Sequence, residues 1–155
     1  MQNRSNVVSH RALAPKTTIS ILRADILLEE LVMDKHILSL VKICFVKECN
    51  WHPEEKAVVC TFHKHDAIIT VRLVFNNDTG KEGLVITDIT TMPEPERGKG
   101  YGSIVLHTIL TWARESKFTH IQAVQVSNNS ECFWSQNGFQ RTNNETNDFR
   151  FTLED

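Results

Sequence analysis

Arg97-Gly98-Lys99-Gly100-Tyr101-Gly102-Ser103 holds three of the six glycines of this 155-residue chain, and two of its four prolines, Pro93 and Pro95, stand just before it. A flexible turn needs one glycine. Three at alternate positions let successive backbone N–H groups point at a ligand that approaches the main chain closely. Upstream, Leu84 to Met92 reads as a strand. Downstream, Ser103 to Glu115 has helical spacing, with Val105, Leu106, Ile109, Leu110 and Ala113 as its apolar stripe. A helix start adds unpaired N–H groups and the positive end of its dipole, so the stretch reads as a seat for a phosphate or pyrophosphate. Two commoner phosphate loops do not fit. Gly-x-Gly-x-x-Gly begun at Gly98 meets Ser103, begun at Gly100 it meets Val105, and Gly-x-x-x-x-Gly-Lys-Ser/Thr does not occur.

Outward from this stretch, Ala57 to Phe62 and Ala67 to Phe75 are apolar runs joined by His63 to Asp66, which predicts an antiparallel hairpin. Ile69, Val71, Leu73 and Phe75 share one face of the second run. The turn cluster Asn76 to Gly80 then leads into Leu84 to Met92, making a three-stranded meander. From Asp25 to about Cys49 the spacing is helical, with Leu27, Leu31, Leu38, Val41 and Phe45 near one face; Asp34-Lys35 interrupts the run, so it forms one helix or two. Thr18 to Ile21 alternates as a first strand, and Asn50 to Glu55, with Pro53, reads as a loop. Past the central helix, Ile121 to Val126 is a short strand and Ser130 to Asn137 a short helix stopped by Gly138. Phe139 to Arg141 and Phe149 to Leu153 form a closing hairpin. A meander followed by strand–helix–strand makes an α+β (mixed α/β) domain.

Composition agrees with one domain. With 41% hydrophobic and 23% charged residues, disordered, collagen-like and coiled-coil classes are excluded, and no apolar run is long enough to span a membrane. Arg4, Arg11, Lys16 and Arg23 precede Asp25 without any acid; the other 13 basic side chains face 19 acidic ones, a balance of −6. Such a body repels phosphate backbones, so no nucleic acid is expected as a partner, and with no spanning run no membrane either. Residues 1–15 read as a basic, mobile tail, the alternative being a segment that resembles a mitochondrial transit peptide, ahead of one domain over 16–155 in a cytoplasmic protein without a secretory h-region. Cys44, Cys49, Cys60 and Cys132 lack zinc-like spacing and read as buried, reduced thiols. His63-Lys64-His65 sets two imidazoles on one strand face with no third ligand in view, so no metal is expected.

Arg97 to Gly102 matches Gln/Arg-x-x-Gly-x-Gly/Ala, the acyl-CoA signature of the GNAT superfamily of N-acetyltransferases. Ser130 to Phe139 resembles that family's late helix, small-x-x-Phe-Tyr-x-x-x-Gly-Phe, and the resemblance covers roughly Leu84 to Arg141. It implies a central mixed, mostly antiparallel sheet of about six to seven strands flanked by helices, with a splay after the fourth strand. It also implies acetyl-CoA as co-substrate and a primary amine, on a small molecule or a protein, that attacks the thioester directly in a ternary complex. The pantetheine arm is then expected along Ile89, Thr90, Thr91 and Met92, and the pyrophosphate on Arg97, Gly98, Lys99, Gly100, Tyr101, Gly102 and Ser103. Asp88, the only acid in its strand, is the candidate base, while Glu94 and Glu96 read as solvated.

Two positions depart from the family pattern. Trp134 stands where many members carry a tyrosine that protonates the leaving thiolate, and the chain's single tyrosine is Tyr101. Ser127 replaces an asparagine usual seven residues earlier, leaving Asn128 and Asn129, with Phe133 and Trp134, to contact the cofactor. The alternative that Trp134 implies is a catalytically silent member of the fold that binds acyl-CoA or a partner protein. A monomer or homodimer is expected in either case.

Overall fold

This computed structural model describes residues 35–76 and 83–153. Its strands are β1 Val46–His52, β2 Ala57–Lys64, β3 Ala67–Asn76, β4 Gly83–Met92, β5 His120–Ala123, β6 Gln140–Asn143 and β7 Asp148–Thr152. They lie in one sheet in the order β1-β2-β3-β4-β5-β7-β6, and only β4 and β5 run parallel. The helices are α1 over residues 35–40, α2 Tyr101–Glu115 and α3 Glu131–Gln136. The sheet is therefore mixed and mostly antiparallel, as the resemblance implies, and all these elements belong to one compact unit, Lys35–Asp155.

The core lies on one face of β2 and β3. Val58, Cys60 and Phe62 stand opposite Leu73, Val71 and Ile69, and all six are fully buried. Alternation along these strands follows from the pleat, since only one face meets the helices. The predicted stripe of α2, Val105, Leu106, Ile109, Leu110 and Ala113, is buried together with Trp112. Each large apolar side chain placed there contributes about 1.5–3 kcal/mol relative to exposure. α1 docks on the end of α2: Trp112 Nε1 donates to Ser39 Oγ (2.9 Å), and the His36 ring lies 4.8 Å from Phe118 and 6.1 Å from Phe75.

The helical reading toward Cys49 fails after Leu40. Two tight-turn bonds, Lys42 N to Ser39 O and Ile43 N to Leu40 O (both 3.2 Å), end the helix. Phe45 then takes a left-handed conformation (φ 68°) that redirects the chain into β1, so part of the predicted loop Asn50 to Glu55 is strand, followed by a 3-10 turn at Pro53–Glu55. Leu38, Val41 and Phe45 are 60%, 41% and 40% exposed, and Leu40 is the buried residue instead. Thr18 to Ile21, Leu27, Leu31 and the tail over 1–15 lie outside the described residues.

Two smaller expectations also change. Only Cys60 is buried; Cys49 is half-buried, while Cys44 sits in the exposed turn before β1 and Cys132 on the exposed side of α3. His65 (φ 51°) belongs to the two-residue turn between β2 and β3, so it does not share a strand face with His63. Among the described residues, no group of three or more His, Cys, Asp or Glu could hold a metal ion, and no helix is long and apolar enough to cross a membrane.

The feature that positions a site is the parting of β4 from β5. They pair only from Gly83↔His120 to Ile86↔Ala123, where β5 ends and β4 runs on to Met92. Glycine at the start of this pairing leaves room for the His120 ring, since a Cβ on Gly83 would lie 2.6 Å from His120 Nε2 and displace that side chain.

Candidate functional site

Arg72 faces Asp88 across the β3–β4 ladder and Leu73 faces Ile86, so Thr87 is an extra residue and forms a β-bulge. Before the bulge, Leu84 and Ile86 share the helical face with Phe75 and Leu73. After it, Ile89 and Thr91 do, opposite Val71 and Ile69. Hydrogen bonding is rephased as well. Phe75 N donates to Lys56 O (2.9 Å), and the two-residue turn makes Lys64 and Ala67 a closing pair, so odd residues of β3 bond β2 and even ones bond β4. Past the bulge, the even partners on β4 are Asp88, Thr90 and Met92. The N–H and C=O groups of Ile89 and Thr91 therefore face the gap where β5 has ended. Arg97 Nε reaches one of them, donating to Thr91 O at 2.9 Å.

Beyond Met92 the chain turns into the glycine loop. Gly98 and Gly100 have φ of 77° and 85°, left-handed conformations that side chains disfavour. Gly100 is the N-cap of α2, no side chain caps this helix, and the first helical bond is Ile104 N to Gly100 O (3.1 Å). Tyr101, Gly102 and Ser103 thus start the helix with N–H groups that have no helical acceptor. Arg97 also reaches Met92 Sδ (3.2 Å), which ties the loop to the strand end. Lys99 turns to Glu96: both carboxylate oxygens lie 3.0 Å from its Nζ, and that carboxylate raises the lysine's pKa. Glu96, expected to be solvated, keeps only 13% of its side chain exposed beneath this contact.

The facing wall is α3. Asn137, buried at the end of that helix, donates through Nδ2 to Ser103 Oγ (3.1 Å) and to Phe133 O (2.7 Å), joining α3 to the first turn of α2. Sequence reading passes over this residue as a helix terminus; a polar residue just before Gly138 was its one visible signal. From the other side, Asn147 Nδ2 donates to Glu131 Oε1 (2.9 Å), and Glu131 pairs with Arg141 (2.6 Å). α3 is held at both ends.

The acetyltransferase (GNAT) family profile matches residues 27–139, well over half of the chain. The chain belongs to the GNAT family of acetyltransferases. Solved structures agree on the fold. The chain is similar to an acetyltransferase of the GNAT family from Staphylococcus aureus Mu50, 11% identical at a TM-score of 0.51, covering 65% of this chain and 70% of that one. Nourseothricin acetyltransferase is 16% identical with a TM-score of 0.50 (68% and 71% covered), and a chain of the AtaT–AtaR complex bound to DNA is 9% identical with a TM-score of 0.54 (66% and 71% covered). No curated protein matches.

In this GNAT chain the expected cofactor residues Ile89, Thr90, Thr91, Arg97, Gly98, Gly100, Tyr101, Gly102, Ser103, Asn129, Phe133 and Trp134 line one cleft of about 620 Å³. Glu96, Ser130, Cys132 and Gln136 line it too, whereas Met92, Lys99 and Asn128 do not. Trp134 is 4% exposed, its ring 5.1 Å from Phe133 and 4.9 Å from Phe139, and it offers no ionisable group. Asp88 lies outside the lining, exposed on the opposite face beside Arg72, whose guanidinium bonds Thr87 Oγ1 (2.9 Å) and Glu55. A larger hollow of about 930 Å³ between α1 and α2 starts at Lys35, the first described residue, and shares neither the open strand edge nor the glycine loop.

Proposed function

We propose that this GNAT protein transfers an acetyl group from acetyl-CoA to a primary amine of a small molecule or protein, by direct attack in a ternary complex. The observation that carries the reading is continuity: the open edge of β4 runs into the uncapped start of α2 within one cleft. Ile89 and Thr91 present N–H and C=O groups as a strand edge does, a pattern that suits the amides of a pantetheine arm. The amides from Gly98 to Ser103 and the α2 dipole suit a pyrophosphate.

When bound, acetyl-CoA supplies the activated acyl group. The chain contributes alignment of the two reactants, an N–H on the β4 edge aimed at the developing oxyanion, and a base. Asp88 is the proposed base. Because the bulge turns its side chain to the far face, the amine enters from that face and gives up its proton there, while the acyl donor fills the cleft. A thiol of pKa about 8.5 departs readily and water protonates it, so Trp134 need not act as an acid. The proposal takes one catalytic domain over 16–155, in the cytoplasm, as a monomer or homodimer. It includes no metal and no membrane partner, and no nucleic-acid partner because of the −6 balance beyond the basic start.

Titration calorimetry with acetyl-CoA, followed by thiol release with a panel of amines, tests the reading. The buried Trp134 favours one rival, a silent acyl-CoA-binding protein. Turnover with any amine supports transfer, binding without turnover across the panel supports the rival, and no binding at millimolar acetyl-CoA overturns both.

A further inference from the structure

Cys49 on β1 and Cys60 on β2 stand directly opposite each other, with their Sγ atoms 2.8 Å apart. The type of pairing can be read from the ladders. Lys56 O accepts from Phe75 N on β3, so even residues of β2 bond to β3; His63 N donates to Phe45 O, so odd residues bond toward β1. Cys60 is even, which makes Cys49/Cys60 a non-hydrogen-bonded pair. In such pairs the Cα atoms are about 4.5 Å apart and the side chains come closest. A disulfide needs a Cα separation of roughly 4.4–6.8 Å, so the pair can be bridged without a change of register. Both thiols are free, and acetyl transfer makes no use of them.

We propose that Cys49 and Cys60 are a reversible dithiol–disulfide pair, oxidised by exchange with a low-molecular-weight disulfide such as oxidised glutathione. Exchange begins at Cys49, because it is half-buried while Cys60 is fully buried. The Cys49 thiolate attacks one sulfur of the small disulfide, forming a mixed disulfide and releasing one small thiol. Cys60 then attacks Cys49 Sγ, the protein disulfide forms, and a second small thiol leaves with the proton of Cys60. Two thiol protons and two electrons pass from the protein to the small disulfide, so the step balances. The S–H of Cys60, donating to Cys49, holds the Cys49 thiol below its usual pKa, against burial and the Glu48 charge; the same bond and burial push Cys60 up. The order of attack follows from both exposure and charge.

The test uses the full chain with Cys44→Ser and Cys132→Ser, which removes the two exposed thiols, incubated with oxidised glutathione. Expected results are the loss of two hydrogens in the intact mass, a Cys49–Cys60 linked peptide, reversal by dithiothreitol, and a melting temperature raised by about 5–10 °C. Adding Cys60→Ser should arrest the protein as a glutathione adduct on Cys49. Adding Cys49→Ser should leave Cys60 unmodified. The proposal is overturned if both thiols stay free, if the protein with both cysteines stops at the adduct, or if Cys60 is modified first. None of these readouts depends on acyl-CoA binding.

Discussion

Replacing Gly102 with alanine should separate stability from ligand binding. Gly102 is the second residue of α2 and lines the cleft beside Thr91 and Phe133. A Cβ there would meet Phe133 at 3.5 and 3.8 Å and Thr91 Oγ1 at 3.8 Å, which is ordinary van der Waals contact, so nothing in the protein has to move. The residue is helical, and alanine removes part of the backbone entropy cost of glycine. That gain is about 0.5–1 kcal/mol in a helix interior and about 0.5 kcal/mol in a first turn, or roughly 1–2 °C in melting temperature for a chain of this size. The methyl group nevertheless fills the space between Thr91 and Phe133, where the proposed pantetheine arm passes from the β4 edge to the α2 start. Displacing that arm forfeits about one hydrogen bond and several contacts, near 1.4 kcal/mol, so the Kd for acetyl-CoA should rise about ten-fold. Calorimetric melting and acetyl-CoA titration on the same preparation give both numbers. An unchanged Kd with a normal or raised melting temperature would refute the path between Thr91 and Phe133. A melting temperature lowered by several degrees would refute the helical placement of residue 102.

Gly100→Ala should act oppositely: no atom lies within 4 Å of its Cβ, but φ is +85°, so strain alone lowers stability by about 1–2 kcal/mol, seen as a fall of roughly 3–6 °C in melting. Asn137→Ala removes the tie from α3 to Ser103 at the α2 start together with the bond to Phe133 O that closes α3 itself, and denaturant titration should show a loss of about 1–3 kcal/mol with unchanged slope. Asn137→Asp should recover only part of the loss, because the Ser103 hydroxyl can donate to the carboxylate while Phe133 O loses its donor; full stability in the aspartate variant would mean that the bond to Phe133 O does not matter. Asp88→Asn should lower kcat by about 10²–10⁴-fold while leaving the acetyl-CoA Kd unchanged, and equal turnover would remove Asp88 as the base.

Elements with a single buried face were legible in the sequence. The α2 stripe from Val105 to Ala113 and the alternation from Ile69 to Phe75 repeat because each element meets the core along one side, and the apolar spacing records that directly. Leu38, Val41 and Phe45 fit a helical stripe equally well on paper. Their failure is a tertiary effect: pairing with β2 satisfies the backbone of Val46–His52, and no local spacing reports the availability of that partner. The glycine loop was readable because the conformations at Gly98 and Gly100 restrict residue type. Asn137 was not, since only the docking of α3 brings its amide to Ser103. Cys49 and Cys60 likewise become a pair only once the register is known.

Thr87 explains why the two faces of β4 carry different chemistry. Strict alternation from Leu84 and Ile86 would send Asp88 and Thr90 toward the helices and commit the backbone groups of Ile89 and Thr91 to β3. One inserted residue reverses both assignments. The freed backbone then faces the gap beside β5, and Thr91 comes to stand against Gly102 and Phe133, while the carboxylate of Asp88 emerges on the other side of the sheet. The sequence carries this as a change in apolar spacing, two positions from Leu84 to Ile86 and then three to Ile89. A base placed on the cofactor face would compete with the acyl donor for the same cleft, and an amine entering there would meet the walls formed by α2 and α3. In the proposed reaction the bulge, by dividing the faces, lets donor and acceptor approach one strand from opposite sides, so that neither occupies the other's space.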